Sequence, residues 1–354
     1  MRPISRRVLC AIVIAMNQTI TAWQVQQTAS RGPERVQLSR PSAKRGEVVV
    51  QLKAASLNYR DLLVVRGQYV GQATPIIPVV DGVGEIVETG EGVTRFQVGD
   101  RVTNTYFPGW LEGEIASEKV ARSFGAGALD GVLAEYYVQP EAALVAVPAH
   151  LTDAEAAALG CAGVTAWNAL FVSHALSPGQ TVLLLGTGGV SLFALQFAKL
   201  AGARVILTSG DDAKLQRARK LGADATINYK EKPAWAKEVL TLTRGEGVDV
   251  VVDTVAGAEL NQSVESVRLG GTVAVIGVLG GMEAPVSTLQ ILLRTPSIKG
   301  ILVGSRAMFT AMNEAIALHR LHPVVDRVFA FNDTPAAYAY LEAGKHFGKV
   351  VIAR

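Results

Sequence analysis

Residues 181–207, TVLLLGTGGVSLFALQFAKLAGARVIL, decide the fold. Thr181–Leu185 is a short, branched, apolar run that reads as a buried strand, and 204–208 reads as a second one. Between them lie the turn Gly186-x-Gly188-Gly189-x-Ser191 and a segment, 190–201, whose apolar residues recur at three and four spacing as in a helix. In such a strand–turn–helix unit the first glycine permits a tight turn and the second lets backbone approach a pyrophosphate. The third usually allows the helix to pack closely on the strand. Ser191 holds that third place and is small enough to pack there, and the helix N-terminus still offers free N–H groups to a phosphate. Gly186, Thr187, Gly188, Gly189 and Val190 are therefore candidates for holding a dinucleotide. Alone, the pattern also reads as an ordinary βα turn; the strands around it argue against that.

Outward from this unit, 225–228, 248–253, 271–276 and 297–303 are apolar runs bounded by turn residues, and 212–221 is a helical stretch. Six strands alternating with helices predict a doubly wound parallel sheet of the α/β class. The chain before it differs. From 19 to about 148, runs such as GEVVVQLKAAS (46–56), GVGEIVETG (82–90), FQVGDRV (96–102) and LAEYYVQP (133–140) are punctuated by glycine and proline, predicting a mostly β domain. After Gly304 come a helix, 306–321, and two strand-like runs, VVDRVFAF (324–331) and GKVVIAR (348–354). A sheet already six strands long has no place for these, so they are assigned to the first domain. The expected division is an extension over 1–18, a catalytic domain over 19–150 and 304–354, and a cofactor-binding domain over 151–303.

Bulk properties agree with two folded cores. The chain has 354 residues, against ~100–200 per domain, with 49% hydrophobic and 18% charged. The net charge is +3 and no basic run is interleaved with aromatics, which argues against nucleic acid as a partner. The two cysteines, Cys10 and Cys161, are too few for a disulfide framework and point to a reducing, cytoplasmic setting. Arg2, Arg6 and Arg7 precede an apolar run at 8–16 and resemble an export signal, the alternative reading. That run is too short to span a bilayer, so no membrane association is expected, and Met16 is a plausible natural start.

Cofactor choice is read at the end of the second strand, where NAD enzymes place an acid against the ribose. Here the residues are Thr208-Ser209-Gly210. Ser209, Lys214 and Tyr229 would offer a hydroxyl, a cation and a phenol to a 2′-phosphate, favouring NADPH over NADH. Asp211 and Asp212 follow, either capping the next helix or reaching a ribose.

AASLNYRDLLVVRGQY (54–69), IPVVDGVGEIVETGEGVTRFQVGDRV (77–102), CAGVTAWNAL (161–170), the glycine unit, LGADATINY (221–229) and GKVVI (348–352) together resemble the medium-chain dehydrogenase/reductase superfamily, in its zinc-free quinone oxidoreductase and alcohol-dehydrogenase-like branch. The resemblance runs from about Thr19 to the C-terminus. It implies a GroES-like catalytic domain built from both chain ends, a Rossmann domain, a cleft between them and a homodimer. Zinc-dependent relatives hold metal with Cys, His and Cys. Those positions are here Asn58, Val80 and Cys161, and the four-cysteine structural lobe is absent, so no zinc is expected. His319 and His322, at i, i+3, lack a third ligand.

Without a metal, rate would come from positioning and from hydrogen bonds to developing charge. In zinc-free relatives an Asn-x-x-Asp segment lies beside the nicotinamide. The resemblance thus implies Asn58, Tyr59 and Asp61 as catalytic candidates, with Tyr69 matching a further tyrosine; Leu63 departs from the pattern. Asn58 could donate to a substrate carbonyl, or merely cap a helix. Thr165 matches the threonine set against the nicotinamide, and Cys161 reads as a buried small residue. Thr254, Gly277, Val278, Leu279, Ile301, Leu302, Val303 and Lys349 complete the cofactor groove by resemblance. Phe107 and Trp110 either line the substrate side or pack the loop replacing the zinc lobe. The implied activity is NADPH-driven reduction of a small quinone or activated enone or carbonyl. The alternatives are interconversion of an alcohol with an aldehyde or ketone, and a non-catalytic NADPH-binding sensor.

Overall fold

A computed structural model describes residues 19–27, 32–69, 71 and 73–354. The arginines and apolar run of the N-terminus, Cys10 and the 1–18 extension lie outside them. Strands β1 (Thr19–Gln24) and β2 (Glu34–Ser39) form an antiparallel pair. β3 (Glu47–Leu57), β4 (Asp81–Thr89), β5 (Arg101–Asn104), β6 (Tyr136–Pro140) and β7 (Leu144–Ala146) build most of a seven-stranded sheet. β3 is its spine: it takes β4 along one side, β6 along Glu47–Gln51, and the chain's final strand at Ala54–Leu57.

The six-stranded sheet contains β8 (Thr181–Leu185), β9 (Arg204–Ser209), β10 (Ala225–Asn228), β11 (Val248–Asp253), β12 (Val267–Val275) and β13 (Ser297–Gly300). Its order is β10-β9-β8-β11-β12-β13, all parallel. The chain reverses direction of travel between β8 and β11, and in doubly wound sheets such a switch point opens a crevice at the strands' carboxyl ends. β14 (Val325–Ala330) and β15 (Lys349–Ala353) then leave this sheet and join the first, with β15 on β3. The fold is thus a GroES-like sheet domain beside a Rossmann sheet. One apolar cluster, including Val83, Leu159, Phe193, Phe309 and Met312, runs between them. Among the described residues, no helix is long and apolar enough to cross a membrane.

Three boundaries differ from the sequence reading. FQVGDRV is strand only from Arg101, because Asp100 Oδ2 accepts from the Gln97 N–H at 2.9 Å and closes a turn first. The fifth strand begins at Val267 rather than 271, with a register shift against β11 that absorbs Gly270 and Gly271. The sixth stops at Gly300, and the chain turns away through Val303 at φ 54°. A β-branched residue is strained in that conformation. It is held by Asn168 Nδ2, which donates to the Val303 carbonyl at 2.8 Å. Asn168→Ala would leave that carbonyl without its partner, so a loss of about 1–3 kcal/mol is expected in urea denaturation. An unchanged midpoint would show that the Val303 turn stands without it.

Candidate active site

The crevice is a cleft of about 950 Å³. Its floor is the glycine loop. Gly186 adopts φ 78°, and Ser191, in the third-glycine place, turns its hydroxyl back to donate to the Leu185 carbonyl at 2.8 Å. Thr254, at the end of β11, donates to the same carbonyl at 2.8 Å, tying the two sides of the switch point. Gly189 serves a different neighbour from the one expected. A Cβ there would lie 2.5 Å from Lys349 Cδ, so the bare helix start makes room for a lysine of the other sheet.

All the cofactor residues named from sequence line this one cleft: Thr165, Gly186, Thr187, Gly188, Gly189, Val190, Ser209, Lys214, Tyr229, Thr254, Gly277, Val278, Leu279, Ile301, Leu302, Val303 and Lys349. Near β9, Asp211 caps the following helix by accepting from the Lys214 N–H at 3.0 Å, and Asp212 accepts from Asn228 at 2.9 Å. Both acids therefore have local partners. Lys214 Nζ donates to the Gly344 carbonyl at 2.9 Å, bringing the loop before β15 over this end of the cleft. That loop adds His346, whose imidazole pKa is lowered to about 4 by burial and by Lys214 and Lys349.

The catalytic candidates divide. Asn58 and Tyr59 line the cleft, whereas Asp61 and Tyr69 do not. Asp61 is fully buried and its Oδ2 accepts from the Asn58 N–H at 2.7 Å, capping the helix Tyr59–Val65. Tyr69 stands behind Tyr106, their hydroxyls 3.0 Å apart. Asn58 is also not the free donor that the sequence suggested. Its Nδ2 donates to Asp81 at 2.8 Å and its Oδ1 accepts from Lys349 Nζ at 2.5 Å. Lys349 also donates to the Leu57 carbonyl at 2.8 Å and stands 3.7 Å from Asp81. Its ammonium thus faces Leu57 and Asn58, while its aliphatic chain lies on the glycine loop. Phe107 and Trp110 are buried and absent from the cleft wall, packing the loop instead.

Cys161 and Thr165 sit on a helical run with widened turns at Leu159–Gly163 and Asn168–Ser173, a distortion common at functional sites. Thr165 Oγ1 donates to the Cys161 carbonyl at 2.6 Å. Burial, reinforced by Asp81, pushes the Cys161 thiol up to about 12. Sequence reading missed Asp81 and Tyr106. An acid inside the apolar run IPVVDGVG signals a buried charge, but its partner is Lys349, at the far end of the chain.

The model of the alcohol dehydrogenase GroES-like domain matches residues 44–149, and that of the zinc-binding dehydrogenase family residues 189–318. A zinc-type alcohol dehydrogenase-like protein of Schizosaccharomyces pombe is 45% identical over 314 residues, covering 87% of this chain and 90% of its own length. The chain belongs to the medium-chain dehydrogenase/reductase superfamily. Within it, the chain is an alcohol dehydrogenase-like oxidoreductase. An alcohol dehydrogenase of Geobacillus stearothermophilus is 32% identical over 324 residues, covering 89% of this chain and 94% of its own. Among solved structures, a candidate alcohol dehydrogenase of Sinorhizobium meliloti 1021 superposes with a TM-score of 0.90 at 40% identity, covering 96% of this chain and all of its own. An NAD-dependent alcohol dehydrogenase gives 0.85 at 32%, covering 94% and 99%.

Burial raises the Asp61 carboxyl to about 6, against the opposing pull of Arg60. A carboxyl raised above its unfolded value of about 3.9 favours the fold while protonated, and that contribution is lost as pH rises through about 6. Asp61→Asn is expected to flatten the Tm profile between about pH 4 and 6; an unaltered slope would assign it to other groups.

Proposed function

We propose that this oxidoreductase uses NADPH to reduce a quinone or an activated enone or carbonyl, without catalytic zinc. The observation that carries this reading is the Asn58–Lys349–Asp81 network. A catalytic zinc needs three protein ligands, drawn from thiolate, imidazole or carboxylate. Asn58 engages both ends of its amide elsewhere, Val80 has no donor atom, and a lone Cys161 thiol is short of three ligands. An ammonium 3.7 Å from Asp81 would oppose a dication. Quinones and enones carry their own electron demand and need less Lewis-acid help than an alcohol losing hydride. NADPH is favoured by the convergence of Ser209, Lys214 and Tyr229 and by the local commitment of both nearby acids. The relatives' names favour a second reading, alcohol–carbonyl interconversion. Nucleotide consumption with a panel of quinones, enones, aldehydes and alcohols, alongside metal analysis, separates the two. NADPH turnover with quinones or enones on metal-free protein is expected, with a lower KM for NADPH than NADH. Zinc-stimulated alcohol oxidation, or an NADH preference, would overturn the corresponding part.

A homodimer is part of the same reading. β13 ends the Rossmann sheet with all four residues exposed, and Leu289, Leu292 and Leu293 are exposed on the preceding helix. An open apolar edge invites pairing, and a second copy extends the sheet without new sequence. Sedimentation should show a dimer that Ile298→Lys with Leu292→Glu converts to monomer; a wild-type monomer at micromolar concentration would overturn it.

A further inference from the structure

An aromatic–cation assembly runs from the cleft wall into the interior behind it. Arg60, buried, lies 4.6 Å from the Tyr69 ring centroid and 4.5 Å from that of Tyr106. Its guanidinium is fixed, donating to the Phe124 carbonyl at 2.9 Å and to Ser123 Oγ at 3.3 Å. Tyr106 lines the cleft together with Asn58, Cys161, Thr165 and Lys349.

Reduction of a carbonyl-type acceptor needs a proton at the oxygen that gains charge. Apart from Tyr59, an exposed phenol beside Arg66, the polar groups around Asn58 on this wall have their hydrogens directed elsewhere. Thr165 donates to the Cys161 carbonyl, Asn58 to Asp81, and Lys349 to Leu57 and Asn58. Cys161 offers only a thiol, a weak hydrogen-bond donor. The Tyr69–Tyr106 hydrogen bond, in contrast, can run in either direction. When Tyr69 donates, the Tyr106 hydroxyl hydrogen is left for another acceptor, on a residue of the cleft wall.

We infer that Tyr106 is the catalytic proton donor, with Tyr69 as its relay and Arg60 as the fixed cation beside both rings; this rests on the reductase reading above. The nicotinamide gives a hydride, with its two electrons, to the acceptor carbon, and the acceptor's π electrons move to oxygen. That oxygen takes the proton from Tyr106 Oη, leaving a phenolate beside Arg60. The phenolate is reprotonated by Tyr69, which is half-exposed and recovers its proton from water. The groups facing Tyr106 are Arg60, Tyr69 and Cys161, with Asp61 beside Arg60. Burial raises the Tyr106 phenol well above its usual value, and Arg60 opposes this. The group is accordingly neutral and able to donate across the physiological range.

Tyr106→Phe keeps the ring on Arg60 and removes only the hydroxyl. With the acceptor that the wild type reduces best, its kcat should fall about a hundredfold and its solvent deuterium isotope effect should change. NADPH affinity, followed by cofactor fluorescence, should stay within about twofold, which also reports folding. Tyr69→Phe should lower kcat less, about fivefold on the scale of an impaired relay, with acceptor KM little changed. Wild-type turnover matched by Tyr106→Phe would overturn this assignment and leave the reductase reading standing. Were Tyr106→Phe to fold poorly, an unchanged kcat and isotope effect in Tyr69→Phe would overturn it instead. NADPH bound by the wild type without turnover of any acceptor would overturn both.

Discussion

A buried ammonium joins the two halves of this molecule. Lys349 is 3% exposed, and removing such a charge from water costs several kcal/mol unless partners replace the water. The Leu57 carbonyl, the Asn58 amide and the Asp81 carboxylate are those partners, and each has a structural condition behind it. β15 must return to β3, so that the lysine arrives beside Leu57. Asp81 must open β4 facing the same space. Gly189 must stay without a side chain. The Gly348 N–H, one residue earlier, donates to the Thr187 carbonyl at 3.0 Å, so the lysine enters from backbone already pinned to the glycine loop.

The same loss of water sets the character of the cleft. Asp61, Asp81, Arg60 and Lys349 are two acids and two bases almost removed from solvent, a balanced set that carries no large net field. Desolvation moves the acids upward: Asp61 to about 6, the Cys161 thiol to about 12, and Asp81 above the usual carboxylate range despite Lys349. The result is a wall of buried groups paired with one another.

The Rossmann half was legible because its signals are local. Glycine spacing, apolar periodicity and strand length act over short stretches of chain, and the cofactor candidates, several of them drawn from the resemblance, line one cleft. Some errors fell where a longer-range contact overrode a local pattern, and others where a short turn or cap did. The sixth strand stops short because Asn168 holds the Val303 turn, and the fifth begins early because a register shift absorbs two glycines. Asp61 and Tyr69 share a segment with residues of the cleft wall, but helix geometry turns the first into a cap, and packing sets the second behind Tyr106.

The sequence by itself determined the family, the glycine loop and the return of the tail to the first sheet. Each is written in residue types at fixed spacing. Only the tertiary structure decided which side chains meet at Asn58 and along the cleft wall. Asp81 and Lys349 are remote in the chain, as are Arg60 and Phe124, and they meet because two sheets close on a shared core. Partner choice for a buried charge depends on distance and exclusion of water, and neither quantity is carried by the order of residues.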